Sequence, residues 1–570
     1  MNLRRKSLTY KIILIAAVVL FFSGLRPKEW AGHKIINNDI AEYYAYLPAG
    51  IIYHDLSFDF VNDLPDDFEG RIWYVEPEGE GFRVVKMTMG LSILFLPFFL
   101  LGHLFALISP FAADGYTAPY EAAIYISNVF FAILGLFFLR KFLRRHFTVK
   151  IVAWTLILLV FATNIFFYSS LQAGNPHIYN FALITLFLFL NEKWHDRPRW
   201  KGAIGIGLLT GLIVLIRPSN ILIIVVFLLY GIYNKTTFLS KFTFYRKNFG
   251  KLALIVLMGF LVISPQLIYW KAITGNWFYF TYGNEGFFFH DPEIIKGLFG
   301  FRKGWLIYTP LMLFSIIGMV FLAREKKNYT YAIPVFFIVN VYIIYSWWAW
   351  WYGGGFGSRP MIDSYGLMAV PLAIFLKKAF DHKLWINRGV KVLLILFLTL
   401  NIWQSMQYKR GVLHYDGMTK KAYFRLFFSW HIPANYNKFI DRPDYKAAIK
   451  NIDRTESYYS DQLKPREKKL FNFTRGEEPL KNKLLKMYDH PGNGFLPLLK
   501  EVIKNKRQHK EAYELVKKTA KDKIRDIIKN DSNWYGKIKQ QAEEENQPVD
   551  SLLKEHVNYM FFVDYKKKNL

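Results

Sequence analysis

Twelve apolar blocks fill the first four hundred residues, and they constrain the fold more than any other feature of the chain. About 20 helical residues cross the hydrocarbon core of a bilayer, and only helices or closed barrels satisfy their backbone there. The blocks lack the alternating pattern of barrel strands. The sequence therefore predicts an all-α, polytopic bundle of transmembrane helices. The blocks are Leu8–Leu25, Met87–Ile108, Tyr120–Leu139, Ile151–Ser170, Ile178–Leu190, Gly202–Leu215, Ile221–Tyr233, Leu252–Trp270, Trp305–Leu322, Tyr331–Trp347, Met361–Leu376 and Val390–Trp403.

Clusters of Lys and Arg between the blocks indicate how many of them cross. If all twelve cross, Arg140–Lys150, Glu192–Lys201 and Arg324–Lys327 lie outside, against the positive-inside rule. If Met87–Ile108 lies in the interface or re-enters from it, all three loops become cytoplasmic together with the N-terminus. We therefore expect about eleven spanning helices in a multi-pass protein of the inner or plasma membrane. The C-terminus is then extracytoplasmic.

Hydropathy and charge also divide the chain into regions. The apolar blocks end near Gln404, and the tail carries helical spacing over Glu514–Asp531 and a second helical pattern near Pro548. We predict a small extracytoplasmic helical module there. The predicted regions are a transmembrane domain at 1–405 with a first outer loop at 26–86 and an interfacial helix at 87–109, a connecting segment and linker at 406–483, and the helical module at 484–570.

The charge and composition exclude several functions. The net charge of +29 comes from Lys and Arg at segment ends, so we predict contact with membrane lipids and none with nucleic acid. The chain has no cysteine, no HExxH zinc spacing and no phosphate-binding glycine loop of the Walker kind. His177 with Asn175 could bind a divalent ion, but a hydrogen-bonded histidine at the helix boundary is favoured. We therefore assign no metal-binding residues, and a divalent cation stays open as a disfavoured cofactor.

Two carboxylates follow the first helix at helical spacing. Asp39 and Glu42 are three residues apart, so a helix would place both on one face. A partly desolvated carboxylate near a membrane surface can act as a general base, which makes both residues candidates for catalysis. The alternative is that they stabilise the positive end of a helix.

Cations gather on the same predicted outer face. They are Lys86, Arg217, Arg302, Lys303 and Arg359, the last preceded by the glycine run Gly353–Gly355. A set of cations there favours a multiply charged anion such as a lipid phosphate, bound by charge-assisted and bidentate hydrogen bonds. Lys86, Arg217, Lys303 and Arg359 are the candidate phosphate-binding residues. A lone Lys at a helix boundary is otherwise a snorkelling anchor.

The order of these motifs resembles the GT-C superfamily of integral-membrane glycosyltransferases, which includes protein O-mannosyltransferases and lipid A aminoarabinose transferases. Asp39 follows the first helix, and the large first outer loop ends in an interfacial helix that Lys86 opens. The string IRPSN closes a later helix. KGWLIYTP (Lys303–Pro310) and GGGFGSRPMID (Gly353–Asp363) each lead from an outer loop into a helix. The resemblance covers roughly the first four hundred residues.

The resemblance implies an inverting sugar transfer outside the cytoplasm, from a polyprenyl-phosphate-linked sugar donor and without nucleotides. By position, Asp39 is the base on the acceptor hydroxyl and Lys86 neutralises the leaving phosphate, with Lys303 and Arg359 as further phosphate contacts. The adjacent Asp-Glu pair of some members is Asn38-Asp39 here, with Glu42 one turn later. The string AGNPH stands where some relatives carry an acidic metal motif, so the resemblance gives little support for a metal.

Other functions remain open on sequence grounds. A glycan ligase or polymerase that uses polyprenyl diphosphate also needs outer cations. A transporter would carry its polar groups at the midplane and show an inverted repeat, and neither feature is visible. A non-catalytic membrane scaffold would present the basic tail. The acceptor can be a lipid, a glycan or a protein.

Overall fold

The structure is a computed structural model and describes residues 2–25, 35–63, 74–75, 81–433, 436, 439–443, 445–451, 465–487 and 495–562. The chain divides into two compact units, Met1–Tyr436 and Asn437–Leu570. Parts of the predicted first outer loop (26–86) and of the predicted linker (406–483) lie outside the described residues.

Helices are the main structural elements of the described first unit. They are α1 (Asn2–Gly24), α2 (Asp39–Ile51), α3 (Gly90–Leu107), α4 (Ala118–Leu143), α5 (Val149–Phe161), α6 (Pro176–Asp196), α7 (Trp200–Ile216), α8 (Ile223–Leu229), α9 (Lys235–Lys247), α10 (Phe249–Thr274), α11 (Ile294–Phe299), α12 (Trp305–Tyr308), α13 (Met312–Met319), α14 (Leu322–Glu325), α15 (Ala332–Ser346), α16 (Tyr365–Phe380), α17 (Leu384–Lys409) and α18 (Lys420–Leu426). Two short strands, β1 (Tyr74–Val75) and β2 (Val84–Val85), pair antiparallel.

Six of the described helical segments are long and apolar enough to cross a membrane, which confirms the predicted all-α polytopic bundle. They are Gly90–Leu107, Ala118–Leu143, Phe249–Thr274, Lys327–Ser346, Arg359–Phe380 and Leu384–Lys409. Shorter apolar helices cover Leu8–Gly24, Val149–Phe161, Trp200–Ile216 and Pro218–Leu229. The predicted number of about eleven spanning helices includes segments of this shorter kind.

One predicted spanning block is broken in the structure. The block Trp305–Leu322 forms three short helices, α12, α13 and α14. Pro310 lacks the backbone N–H that a continuous helix needs, and it disfavours helical geometry at the residue before it. Thr309 accordingly has φ −138° and ψ 61°, outside the helical region. Hydropathy alone does not register this break.

The contacts of α4, α6 and α7 define one end of the bundle. The Ser127 hydroxyl of α4 lies 2.9 Å from the Tyr179 hydroxyl of α6, and further along both helices the Thr185 hydroxyl donates to the carbonyl of Gly135. Helices α4 and α6 therefore run parallel. Helix α7 runs the opposite way, because Arg217 just after its end contacts His177 at the start of α6. We call the end where α4 and α6 begin and α7 ends the site end.

Helix α3 has both of its ends at the site end. Near its start, Thr88 donates a hydrogen bond to the carbonyl of Leu215 in the last turn of α7. Near its finish, His103 Nδ1 lies 2.6 Å from the hydroxyl of Tyr120 in the first turn of α4. Residues at both ends of α3 therefore contact the site end. The placement of residues 87–109 in the lipid interface stays a prediction.

Helices α7 and α10 approach each other through glycines. A Cβ at Gly207 would lie 2.5 Å from the carbonyl oxygen of Ile255, and a Cβ at Gly211 would lie 2.6 Å from that of Gly259. Small residues four positions apart let membrane helices pack backbone to backbone.

The second unit is a set of amphipathic helices: α19 (Tyr445–Ile449), α20 (Pro465–Thr474), α21 (Glu478–Met487), α22 (Phe495–Lys504), α23 (Lys510–Asn530), α24 (Ser532–Glu544) and α25 (Val549–Phe562). The helices predicted over Glu514–Asp531 and near Pro548 are present as α23 and α25. Two apolar cores form, one centred on Leu499 and Val516 and the other on Ile528 and Ile538. The predicted limits at 405 and 483 differ from the division at Tyr436, because hydropathy marks the last apolar helix and not the last packed one.

Replacing Gly211 by valine should force α7 and α10 apart. Overpacking of this kind costs about 1–3 kcal/mol, so we expect a lower melting temperature in detergent. Gly389→Val is the matched control, since a Cβ at Gly389 meets nothing within 4 Å. Equal melting temperatures of the two variants would contradict the glycine-mediated contact.

Candidate functional site

The two predicted carboxylates lie in the first turn of α2, on one face. The helix begins after Asn38, whose φ of 47° turns the chain sharply, and Asp39 and Glu42 occupy the end where the helix dipole is positive. The helix-stabilising role considered as the alternative to catalysis is therefore available to both. The two carboxylates differ in the contacts that they make with the rest of the protein.

Asp39 forms an ion pair with Arg359. The Arg359 guanidinium donates from Nη2 to Oδ2 of Asp39 at 2.7 Å, and the Asp39 side chain is 38% exposed. Burial alone would raise the pKa of Asp39, but the charges of Arg359, Lys86 and Arg217 hold it below its ordinary value of 3.8. Asp39 is thus a stable carboxylate at neutral pH, surrounded by three of the predicted phosphate-binding cations.

Glu42 is buried and only 4% exposed. One of its carboxyl oxygens, Oε2, has no hydrogen-bond partner among the described residues. Burial raises the pKa of Glu42 to about 8, and the charge of Asp39 adds to the rise, while Lys86 opposes it. Two carboxyl groups one turn apart therefore differ in ionisation, and such differences commonly separate the roles of acid and base.

Lys86 reaches the site from the residue after β2. Its Nζ lies 2.5 Å from Oε1 of Glu285 and 5.0 Å from the centre of the Tyr282 ring. The other oxygen of Glu285 accepts a hydrogen bond from the Trp348 indole at 3.1 Å. Glu285 therefore joins Lys86 to the tryptophan-rich stretch at Trp347–Trp351.

Arg217 is held by a buried network at the start of α6. Its Nη1 donates to Nε2 of His177 at 2.8 Å, and Nδ1 of His177 lies 2.9 Å from Oδ1 of Asp363. The other Asp363 oxygen accepts from Asn220 at 2.9 Å. Because arginine can only donate, His177 must accept at Nε2 and carry its proton on Nδ1, where it donates to Asp363. His177 is thus hydrogen-bonded at both ring nitrogens.

Lys303 occupies a different position from the other cations. It is 3% exposed, and its Nζ donates to the backbone carbonyls of Gly355 and Tyr415. Burial lowers the pKa of Lys303 to about 7, partly offset by Asp416. Arg302 beside it donates to the carbonyl of Asp416 at 3.0 Å. These contacts hold in place the segment Gly353–Ser358 before Arg359, which we call the glycine loop. The Lys303 ammonium faces backbone carbonyls.

The glycine loop before Arg359 needs its glycines for two reasons. Gly353 and Gly357 have φ of 63° and 60°, where a side chain is strained. A Cβ at Gly355 would lie 2.6 Å from the Tyr168 hydroxyl. Two of the nearby tryptophans are buried inside the protein: Trp350 is 1% exposed and Trp351 is 2% exposed.

The structure thus brings Asp39, Glu42, Lys86, Arg217 and Arg359 together, and the Lys303 ammonium donates to backbone carbonyls, one of them in the glycine run before Arg359. Sequence reasoning did not select several residues of this site: His177 and Asp363, which orient Arg217, and Glu285 and Tyr282, which contact Lys86. Asp363 follows Arg359 by four residues in the motif GGGFGSRPMID. This proximity in sequence could have indicated that Asp363 belongs to the same site as Arg359. No group of three or more metal-ligating side chains occurs among the described residues.

Comparisons with known proteins are sparse. No protein-family model matches the chain, and no curated protein matches it. One similar structure is the archaeal oligosaccharyltransferase AglB from Archaeoglobus fulgidus in complex with an inhibitory peptide and a dolichol-phosphate, with a TM-score of 0.39 and 14% identity over 73% of this chain and 57% of that chain. The Archaeoglobus fulgidus oligosaccharyltransferase tethered with an acceptor peptide has a TM-score of 0.39 and 14% identity, over 79% and 60% of the two chains.

The chain spans about three fifths of the length of those oligosaccharyltransferases. A likeness with a TM-score below 0.5 assigns neither a substrate nor a reaction. Those have to come from the residues of the site itself.

The pH dependence of stability should reveal the buried Glu42. Its folded pKa of about 8 lies above its ordinary value of 4.5, so its contribution is complete below pH 4.5 and is lost as pH rises through 8. The slope is at most about 1.4 kcal/mol per pH unit. We expect the wild-type melting temperature to fall between pH 5 and pH 8 relative to that of Glu42→Gln. Parallel curves would contradict the raised pKa.

Proposed function

We propose that the chain is an inverting membrane glycosyltransferase that moves a sugar from a polyprenyl-phosphate donor to an acceptor hydroxyl on the extracytoplasmic side. The observation that supports this most is the ionised carboxylate of Asp39 held 2.7 Å from Arg359, with the charges of Lys86 and Arg217 acting on it. A base and a cationic phosphate site are then adjacent. A transfer between a lipid phosphate and a hydroxyl needs both.

The cations of the site suit a phosphate that leaves during the reaction. Each has an acidic neighbour in the structure: Asp39 for Arg359, Glu285 for Lys86, and Asp363 for Arg217 through His177 and at 3.7 Å directly. A donor phosphate competes with these carboxylates for the same N–H groups. Arginine offers it a planar, bidentate fork.

In the proposed step, the acceptor oxygen attacks the anomeric carbon from the face opposite the phosphate. The new bond is between acceptor oxygen and anomeric carbon, and the bond that breaks joins that carbon to the phosphate oxygen, which keeps the electron pair. The acceptor proton passes to Asp39. As charge builds on the phosphate, Arg359 shifts its hydrogen bonds towards it, and the loss of that contact raises the basicity of Asp39 when the proton arrives.

The place of the site in the bundle supports a lipid-linked substrate. The charged residues lie at the site end, beside α3, and not at mid-length of the helices as in a transporter. The apolar chain of a lipid-linked donor can lie along the helices while the phosphate of that donor contacts the cations. We place this end on the extracytoplasmic face, with the N-terminus cytoplasmic and the C-terminus extracytoplasmic.

A transferase that uses polyprenyl diphosphate is the second candidate. Three cations around one carboxylate favour it, because a diphosphate carries more negative charge than a monophosphate ester. Incubating the purified protein with radiolabelled polyprenyl-monophosphate and polyprenyl-diphosphate sugars separates the two candidates. Transfer from neither donor would remove the glycosyltransferase proposal.

Asp39→Asn should retain donor binding and abolish most turnover. Asparagine keeps the shape of aspartate but cannot accept a proton at neutral pH, so we expect turnover to fall by about 10²–10⁴. Donor binding should persist or strengthen, because Arg359 is released from its carboxylate. Glu42→Gln is the matched control one turn away and should reduce turnover less. The reverse ranking of the two variants would make Glu42 the base.

Lys86 and Lys303 should respond differently to removal of their charge. Lys86→Ala should weaken donor binding by about 1.5–3 kcal/mol, as expected for loss of a charge-assisted hydrogen bond, with little change in melting temperature. Lys303→Ala should instead lower the melting temperature, because the carbonyls of Gly355 and Tyr415 lose their donor. Isothermal titration with the donor and thermal unfolding are measured on both variants. Unchanged donor affinity in Lys86→Ala contradicts the phosphate role.

A further inference from the structure

An exposed aromatic surface lies on the loop that follows α10. We call residues 275–299 the aromatic loop. Trp277 is 61% exposed and Phe278 is 70% exposed, and five further large apolar side chains of the loop are also exposed. They are Phe280, Phe287, Phe289, Ile295 and Phe299. Apolar patches of this kind mark interaction surfaces, since water does not favour them.

Hydrogen bonds to the end of α15 fix this loop in place. The amide of Phe288 donates to the carbonyl of Ser346 at 2.7 Å, and the amide of Glu293 donates to that of Tyr345 at 2.9 Å. The rings of Phe287 and Phe289 stack 5.3 Å apart. The exposed rings are therefore held outward by an ordered backbone.

The patch continues the lipid-facing surface of α10. That helix is a candidate membrane span, and it exposes large apolar side chains along its length, among them Phe260 at 56% and Ile268 at 58%. The loop starts directly after its last residue, and the Phe278 ring packs against Trp270 in its last turns at 5.5 Å. A surface that adjoins lipid at one edge and carries Trp and Phe rings fits the boundary between head groups and acyl chains.

The opposite side of the same loop contacts the candidate site. Thr281 donates a hydrogen bond to the carbonyl of Lys86 at 2.6 Å, and Glu285 pairs with the Lys86 side chain. Tyr282 lies under the Lys86 ammonium. Phe278, whose ring is exposed, therefore lies only seven positions before Glu285, whose carboxylate contacts Lys86.

We propose that the exposed aromatic rings of this loop are inserted into the lipid bilayer, at the level of the head groups and upper acyl chains of the leaflet at the site end. The partner is the phospholipid surface itself. The insertion holds Glu285 and Lys86 at the depth where a lipid phosphate lies, and it does not require that the chain be a glycosyltransferase.

Fluorescence quenching in nanodiscs tests the insertion. The chain has no cysteine, so single substitutions Phe278→Cys and Phe280→Cys can each carry an environment-sensitive nitrobenzoxadiazole probe. Phosphatidylcholine and phosphatidylglycerol nanodiscs contain lipids with a doxyl quencher at a shallow or a deep acyl position, and iodide serves as the aqueous quencher. Phe260→Cys on α10 is the lipid-facing control. Asn284→Cys is the control in the same loop, since Asn284 is exposed and polar.

We expect the loss of fluorescence from shallow doxyl lipids at 278 and 280 to match or exceed that at 260 and to exceed that at 284. Iodide should quench 284 and leave 278 and 280 bright. Iodide quenching of 278 and 280 equal to that of 284 would place the loop in water and overturn the proposal. Protection from both quenchers would also overturn it, because a second copy or another segment of the chain would then cover the rings. Unchanged melting temperatures check that each variant is folded.

Discussion

The need to pair charges at the end of an apolar bundle determines the arrangement of the candidate site. A lone cation or carboxylate loses much of its hydration there, and an opposite charge restores only part of that loss. Arg359 has Asp39, Lys86 has Glu285, and Arg217 has His177 backed by Asp363. Each pair joins two different segments of the chain. The loops and helix ends at the site end are therefore held in place by the same contacts that set the chemistry.

This pairing also separates the two carboxylates of α2. Asp39 has the guanidinium of Arg359 and stays ionised, whereas Glu42 lies deeper, has an oxygen without a partner and holds its proton to a higher pH. One helical turn changes the environment from a charged cleft to an apolar interior. Such a contrast suits a site in which one group must accept a proton while its neighbour does not compete for it.

Hydropathy and charge patterning were sufficient to predict the fold class, and they selected several residues that the structure brings together. The all-α bundle is confirmed, and Asp39, Arg359, Lys86 and Arg217 come together although they are far apart in sequence. The sequence analysis did not predict the break at Pro310, because hydropathy averaged over a window does not detect the loss of one backbone N–H. The phosphate-binding role of Lys303 stays a prediction. A sequence shows that a cation is present but not that it donates to the backbone carbonyls of Gly355 and Tyr415. Glu285 pairs with Lys86, and Asp363 holds Arg217 through His177. These pairings depend on tertiary contacts, which no local sequence pattern encodes.

The sequence separation within these pairs has a consequence for how the protein is made. Asp39 and Arg359 are 320 residues apart, Lys86 and Glu285 are 199 apart, and His177 and Asp363 are 186 apart. Synthesis proceeds from the N-terminus, so Asp39 reaches the membrane surface long before its arginine has left the ribosome. The cleft closes only when the segment around residues 359–363 is inserted. A chain that stalls earlier carries Asp39 without Arg359 and His177 without Asp363, so the candidate site is incomplete until that segment is in place.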